Sequence, residues 1–274
     1  MSDADLDPAQ LDRYSRHVIM EDVGPAGQAR LLEGSVLCIG AGGLGAPIIQ
    51  YLAAAGVGTL GIADDDVVER SNLQRQVIHT ESDRGRPKVE SAREFVAARN
   101  PDVDVDVYQE RVTADTIQSL LADYDFVVDA SDNFETLYLV NDACALEGIP
   151  FSYGSVLRFE GQASTFLPDG HSPCYRCLFP EAPPADSVPD CATAGVLGVL
   201  PGVIGSLQAT EAIKYLLGTG ELLDGRLTVY DALEMTFEEV TVRDDPDCPV
   251  CGDDPDIETV EAIDYDGRCS VQAG

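Results

Sequence analysis

Apolar residues in this chain come in short β-branched runs separated by longer segments of helical period. The runs at 35–40, 59–64, 103–108, 125–129 and 150–155 predict strands, and the segments at 43–55, 87–100, 114–122 and 133–147 predict helices. Strict alternation of this kind implies a mostly parallel sheet with helices on both faces. After residue 154 the rhythm changes. A strand over 159–167, a helix over 202–217 and strands near 227–230 and 238–242 read as an antiparallel extension. At the other end Asp7 caps a helix, Pro8 fits its first turn, and Leu11, Tyr14 and Val18 line one face, leaving Arg13 and Arg16 off the stripe. The expected organisation is one domain over 1–252, then an acidic, loosely ordered tail over 253–274.

Charge changes the picture next. Among 274 residues, 49 acids face 17 bases, for a formal charge of -32. Such a surface repels nucleic acid and anionic membranes. Only Lys88 and Lys214 are lysines. High acid with little lysine resembles proteins of salt-loving organisms; an acidic interaction surface is the alternative. No apolar run of about 18 residues is present, and the N-terminus lacks the basic-then-apolar order of a signal peptide, so a cytoplasmic protein is expected. Arg70, Arg75, Arg84, Arg86 and Lys88 nevertheless crowd into 19 positions. They either bind an anion such as a polyphosphate or pair with surface acids.

Candidate chemistry starts at Gly40-Ala41-Gly42-Gly43-Leu44-Gly45, which follows a strand and opens a helix. Glycines there let backbone N–H groups approach phosphates, and Asp64, closing the next strand, can accept ribose hydroxyls. The predicted fold class is therefore α/β, a Rossmann-like sheet with an antiparallel extension. The turn alone does not separate NAD from ATP. The segment Ser71-Asn72-Leu73-Gln74-Arg75-Gln76, with Lys88 beyond it, supplies side chains that an ordinary dinucleotide turn does not need.

Together with Pro-Lys-Val-Glu-Ser-Ala, Ser131-Asp132-Asn133, Cys-Tyr-Arg-Cys and Gly-Val-Ile-Gly-Ser-Leu-Gln-Ala, these motifs resemble the ubiquitin-activating enzyme superfamily, and within it the MoeB/ThiF adenylyltransferases of molybdopterin and thiamine biosynthesis. The resemblance covers about residues 10–252. It implies that the C-terminal glycine carboxylate of a small ubiquitin-fold protein ending in Gly-Gly attacks the α-phosphate of ATP. It also implies Gly43 near the phosphates, Asp64 on the ribose, and Asn72, Arg75 and Lys88 on the phosphates, with Ser71, Leu73, Gln74 and Gln76 around them. Asp132 is implied as the magnesium ligand and Asn133 as its nucleotide-side neighbour; without the resemblance, Asp132 reads as a helix cap. Arg16 is implied to reach a partner protomer's site, hence a homodimer. The rivals are a NAD-dependent oxidoreductase and a non-catalytic subunit of a heterodimeric enzyme.

Cys174-x-x-Cys177 and Cys248-x-x-Cys251 have the spacing of a closed, structural zinc site, with disulfides as the alternative. Cys191 resembles the family's loop cysteine, which takes the acyl group as a thioester or helps pass sulfur to it, although Asp186 and Asp190 oppose thiolate character. Cys38 and Cys144 read as buried apolar residues. His17, His79 and His171 show no metal-like spacing, and His79 reads as a hydrogen-bonded structural residue. The chain ends soon after Cys251, so any sulfur donor is expected to be a separate protein.

Overall fold

In a computed structural model, residues 6–181 and 194–265 are described. Eight strands form one sheet in the order β3-β2-β1-β4-β5-β6-β7-β8. Strands β1 (Ser35–Ile39), β2 (Thr59–Ala63), β3 (Asp104–Tyr108), β4 (Phe126–Asp129) and β5 (Phe151–Leu157) pair in parallel. Strands β6 (Glu160–Phe166), β7 (Arg226–Asp231) and β8 (Thr236–Thr241) extend the sheet antiparallel from β5. The expected α/β architecture and its antiparallel extension are both present.

Helices α3 (Gly24–Glu33), α4 (Gly45–Ala55), α5 (Lys88–Arg99) and α9 (Leu200–Leu217) lie to one side, with Ile48, Leu52, Val96 and Ile204 in the core there. Helices α6 (Ala114–Leu121) and α7 (Phe134–Glu147) cover the other face around Ile117, Leu121, Val140 and Phe151. No helix among the described residues is long and apolar enough to cross a membrane.

Two expectations need correction. The N-terminal helix is broken into α1 (Pro8–Arg13) and α2 (Ser15–Val18), and Leu11 is exposed rather than packed. Asp7 does cap α1, in a capping box with Gln10, and Pro8 sits in its first turn. The break comes from Tyr14. Its ring fills the space over Gly56, where a Cβ would lie 2.5 Å from the ring, and its hydroxyl donates to Asp102 Oδ2 at 3.1 Å and accepts from Asn100 Nδ2 at 2.8 Å. A tertiary anchor thus outweighs helix continuity. Secondly, the stretch expected to be loosely ordered from 253 onward is packed in its described part. Ile257 joins the cysteine pairs, Val260 is fully buried in a 3₁₀ turn, and Tyr265 donates to Asp142 Oδ2 at 2.7 Å. The apolar residues at 257, 260 and 263 recur every third position, which gives this segment one buried side.

Candidate active site

The strand order reverses between β1 and β4, and the carboxyl ends of those strands form the crevice where open α/β sheets bind ligands. The glycine turn occupies it. Gly40 has φ +102°, and a Cβ there would lie 2.7 Å from the Ala130 carbonyl oxygen; one on Gly45 would lie 2.0 Å from the Gly40 oxygen. Only glycine lets the turn close this tightly. The turn is braced from two sides. Ala41 N donates to Asp64 Oδ2 at 2.8 Å, and His79 Nε2 donates to the Ala41 carbonyl at 3.0 Å. His79 Nδ1 then accepts from Ser91 Oγ at 2.8 Å. Burial pushes the His79 pKa below its ordinary value, which favours the neutral ring this arrangement requires.

Of the five clustered cations, three are surface pairs: Arg70 and Arg84 share Glu81, and Arg86 holds Asp83 and Glu94. For those three the salt-bridge alternative holds. Arg75 differs. Its stem lies against Gly43, whose added Cβ would sit 3.4 Å from Arg75 Cδ and 3.3 Å from Pro201 Cγ. Its hydrogen bond goes to the Ser71 carbonyl at 3.3 Å, and it has no carboxylate partner among the described residues. Lys88 is buried at the start of α5, with Nζ 2.7 Å from Asp66 Oδ2 and 3.7 Å from Asp64 Oδ1.

The segment between is shaped by a 3₁₀ turn at Arg70–Asn72. Asn72 Oδ1 accepts from Glu69 N at 2.9 Å, and Ser71 Oγ donates to Glu69 Oε2 at 3.3 Å. Leu73 is half-buried and Gln74 exposed, its carbonyl against Gly198. Gln76 is buried beside the glycine turn, and its Oε1 has no partner among the described residues.

Across the crevice, Asp132 and Asn133 are exposed at the end of β4. The cap of α7 is Asn133, whose Oδ1 accepts from Thr136 N at 2.8 Å, so Asp132 is not spent on capping. Beneath them Asp129 is buried and accepts from Ser131 N at 3.1 Å; burial pushes its pKa up to about 6. Sequence reading missed Asp129 and Asp66, because nothing local distinguishes either from the many other acids. Arg16 is exposed and unpaired among the described residues, well separated in sequence from the turn. Cys191 lies outside the described residues.

Behind the antiparallel strands, the sulfurs of Cys174, Cys177, Cys248 and Cys251 all lie within 4.8 Å of one another. The Cys174–Cys248 and Cys177–Cys251 separations, 3.5 and 3.4 Å, exceed a disulfide bond, and all four cysteines are free. Zn–S bonds of about 2.3 Å in a tetrahedron put sulfurs about 3.8 Å apart, so the cluster is compatible with zinc. It joins the segments after β6 and β8 and packs on Ala145 and Leu146 of α7. One turn earlier on α7, buried Asp142 accepts from Nε and Nη2 of Arg176, both at 2.7 Å, fixing the short helix α8 (Tyr175–Leu178) that Cys174 caps and that carries Cys177. Cys38 and Cys144 are buried, as expected of apolar residues.

Comparison with known proteins agrees with this geometry. Residues 14–250 match the ThiF family. A SAMP-activating enzyme E1 of Haloferax volcanii is 61% identical over 266 residues, which is 97% of this chain and 97% of that one. A sulfur carrier protein adenylyltransferase of Thermus thermophilus is 52% identical over 267 residues, 96% of this chain and 98% of that one. Among solved structures, E. coli MccB with ATP shares the fold, with a TM-score of 0.79 at 22% identity over 92% of this chain and 77% of that one. The chain belongs to the ThiF family.

Proposed function

We propose that the chain is an adenylyltransferase that uses ATP and magnesium to activate the C-terminal glycine of a small ubiquitin-fold or sulfur-carrier protein. The observation that carries this is Arg75: a half-buried residue whose stem lies against the glycine turn, with no carboxylate partner among the described residues of a protein of charge -32. A NAD-dependent oxidoreductase gives it no task. The activities of the Haloferax and Thermus relatives, a SAMP-activating enzyme and a sulfur carrier protein adenylyltransferase, support the same reading.

In this mechanism the glycine carboxylate, ionised at neutral pH, attacks the α-phosphorus without a general base. The bond to the bridging oxygen of the β-phosphate breaks, pyrophosphate leaves with that electron pair, and an acyl-adenylate remains. Catalysis is positioning and charge neutralisation between two anions. Asp64 holds the ribose while its other contacts brace the turn. Gly43 admits the phosphates, and Arg75, Lys88 and Asn72 bind them, with Gln76 supporting these residues beside the turn. Asp132, free of any capping role, would hold magnesium, which supplies further neutralisation of the phosphates. Arg16 completes the site of the partner in a homodimer, and Cys191 acts on the activated acyl group after adenylation. The four cysteines hold structural zinc.

The carrier needs a surface as well as a site. Strand β5 runs with β4, so its carboxyl end, the β5–β6 turn and the β7–β8 turn all share the edge of the sheet that carries the glycine turn. Along this edge Phe159, Leu197, Val199, Leu233, Met235 and Phe237 are exposed, Leu233 at 67% and Phe237 at 55%. Clustered apolar exposure of this kind marks a protein contact, and its position on the same edge as the glycine turn supports its use by the carrier.

ATP–pyrophosphate exchange tests the reading. Exchange dependent on a Gly-Gly-ended carrier and on magnesium is expected. Its absence with every such carrier, in protein that also fails to bind ATP, contradicts the proposal. A Cys191→Ala variant should retain exchange and lose downstream transfer.

A further inference from the structure

Lys88 stands between two carboxylates whose other engagements differ. Asp64 is nearly enclosed, its side chain 9% exposed, and both oxygens already accept backbone N–H groups: Oδ2 from Ala41 and Oδ1 from Asp66 at 2.9 Å. Asp66 is open, its side chain 68% exposed, and its carboxylate is occupied by the Lys88 ammonium. The grip is two-point, because the Asp66 carbonyl also accepts the Lys88 backbone N–H at 3.0 Å. An isolated antiparallel bridge between Val67 and Pro87 fixes the two segments in this register. One residue therefore holds both the head and the foot of Lys88.

An ammonium whose side chain is only 7% exposed requires an anionic partner. If the Asp66 carboxylate is removed, the nearest remaining carboxylate of the protein is Asp64, with Oδ1 now 3.7 Å away. Moving there would consume the lone pairs that a ribose hydroxyl needs and draw Nζ toward the sugar end of the site. We propose that Asp66 is a positioning residue of the nucleotide site: its exposed carboxylate takes one N–H of the Lys88 ammonium, leaving the others for the phosphates, and so keeps Lys88 off Asp64, which stays free to bind the ribose. This rests on the nucleotide reading above and adds a division of labour between two acids two positions apart.

The test compares affinities for ATP and for 2′,3′-dideoxy-ATP by calorimetry, in wild type, Asp66→Asn and Asp66→Glu, and in the same series on a Lys88→Met background. Wild type should favour ATP. Asp66→Asn should reduce that preference roughly tenfold, the size of a hydrogen bond to a charged group, with an unchanged melting temperature. Asp66→Glu should restore most of it. With Lys88→Met in place, Asp66→Asn should no longer matter, since no ammonium remains to move. Asp66→Ser, which also removes the charge, carries the same expectation if the asparagine variant folds poorly. A preference that survives both Asp66→Asn and Asp66→Ser overturns the proposal while leaving the nucleotide reading intact. Wild-type protein that binds both nucleotides equally overturns the Asp64 ribose role, and the proposal with it.

Discussion

The two halves of the sheet are built for different partners. In the parallel half, β1, β2 and β4 are almost wholly buried, and their carboxyl edge is where a braced glycine turn meets Arg75 and Lys88. In the antiparallel half the last strand, β8, is exposed at every residue, and the segments after β6 and β8 are tied together by four cysteines. On the proposed function, the contrast teaches that a small anion and a protein partner call for different means of recognition on one edge. The first needs fixed backbone and a few charges. The second needs apolar area and a stiff support.

If that division is right, damage to one half should leave the other's function alone. The largest effect is expected from Lys88→Ala or Asp132→Ala, each lowering exchange by roughly 10²- to 10³-fold, as loss of one charge-stabilising group does. Carrier binding measured without ATP should be unchanged, and a parallel loss of it would blur the distinction. Removing the metal by chelation, or making Cys248→Ser, should lower the melting temperature by roughly 10 °C. Full stability after verified metal loss would leave the cysteine cluster without its supporting role.

A smaller effect belongs to Asp129, the buried acid under the nucleotide edge. Its folded pKa of about 6 lies above the ordinary 3.8, so the folded state holds its proton longer than the unfolded chain does. Its contribution to stability therefore falls as pH rises from about 4 to about 6, and the cost above that is about 3 kcal/mol. Asp129→Asn should lack this fall in denaturant titrations across the window; parallel curves for the two proteins would contradict it. The smallest expected effect is that of Phe237→Asp, weakening carrier binding roughly tenfold with ATP affinity untouched.

Much of this was legible in the sequence, for reasons that differ by element. Strands β1, β2 and β4 were, because burial on both faces leaves continuous apolar runs, and the edge strand β3 was, because its Asp and Val residues alternate. The cysteine pairs were, because zinc spacing is local within each pair. The break at Tyr14 was not, since its cause is the empty space over Gly56, which is distant in sequence. Helix α3 was not, because Gly-Pro-Ala-Gly at its start reads as a turn. The fate of the clustered cations was only half legible: their density pointed to an anion, while Arg70, Arg84 and Arg86 were matched to acids by folding. The motif already singled out Arg75 and Lys88; their separation from the paired cations became visible only with their neighbours.

The division between the halves is tested most directly by a crossed binding experiment. ATP affinity and carrier affinity are each measured, separately, for wild type, Arg75→Ala and Phe237→Asp. The account predicts that Arg75→Ala weakens ATP and spares the carrier, while Phe237→Asp weakens the carrier and spares ATP. Equal loss of both affinities in either variant would contradict it.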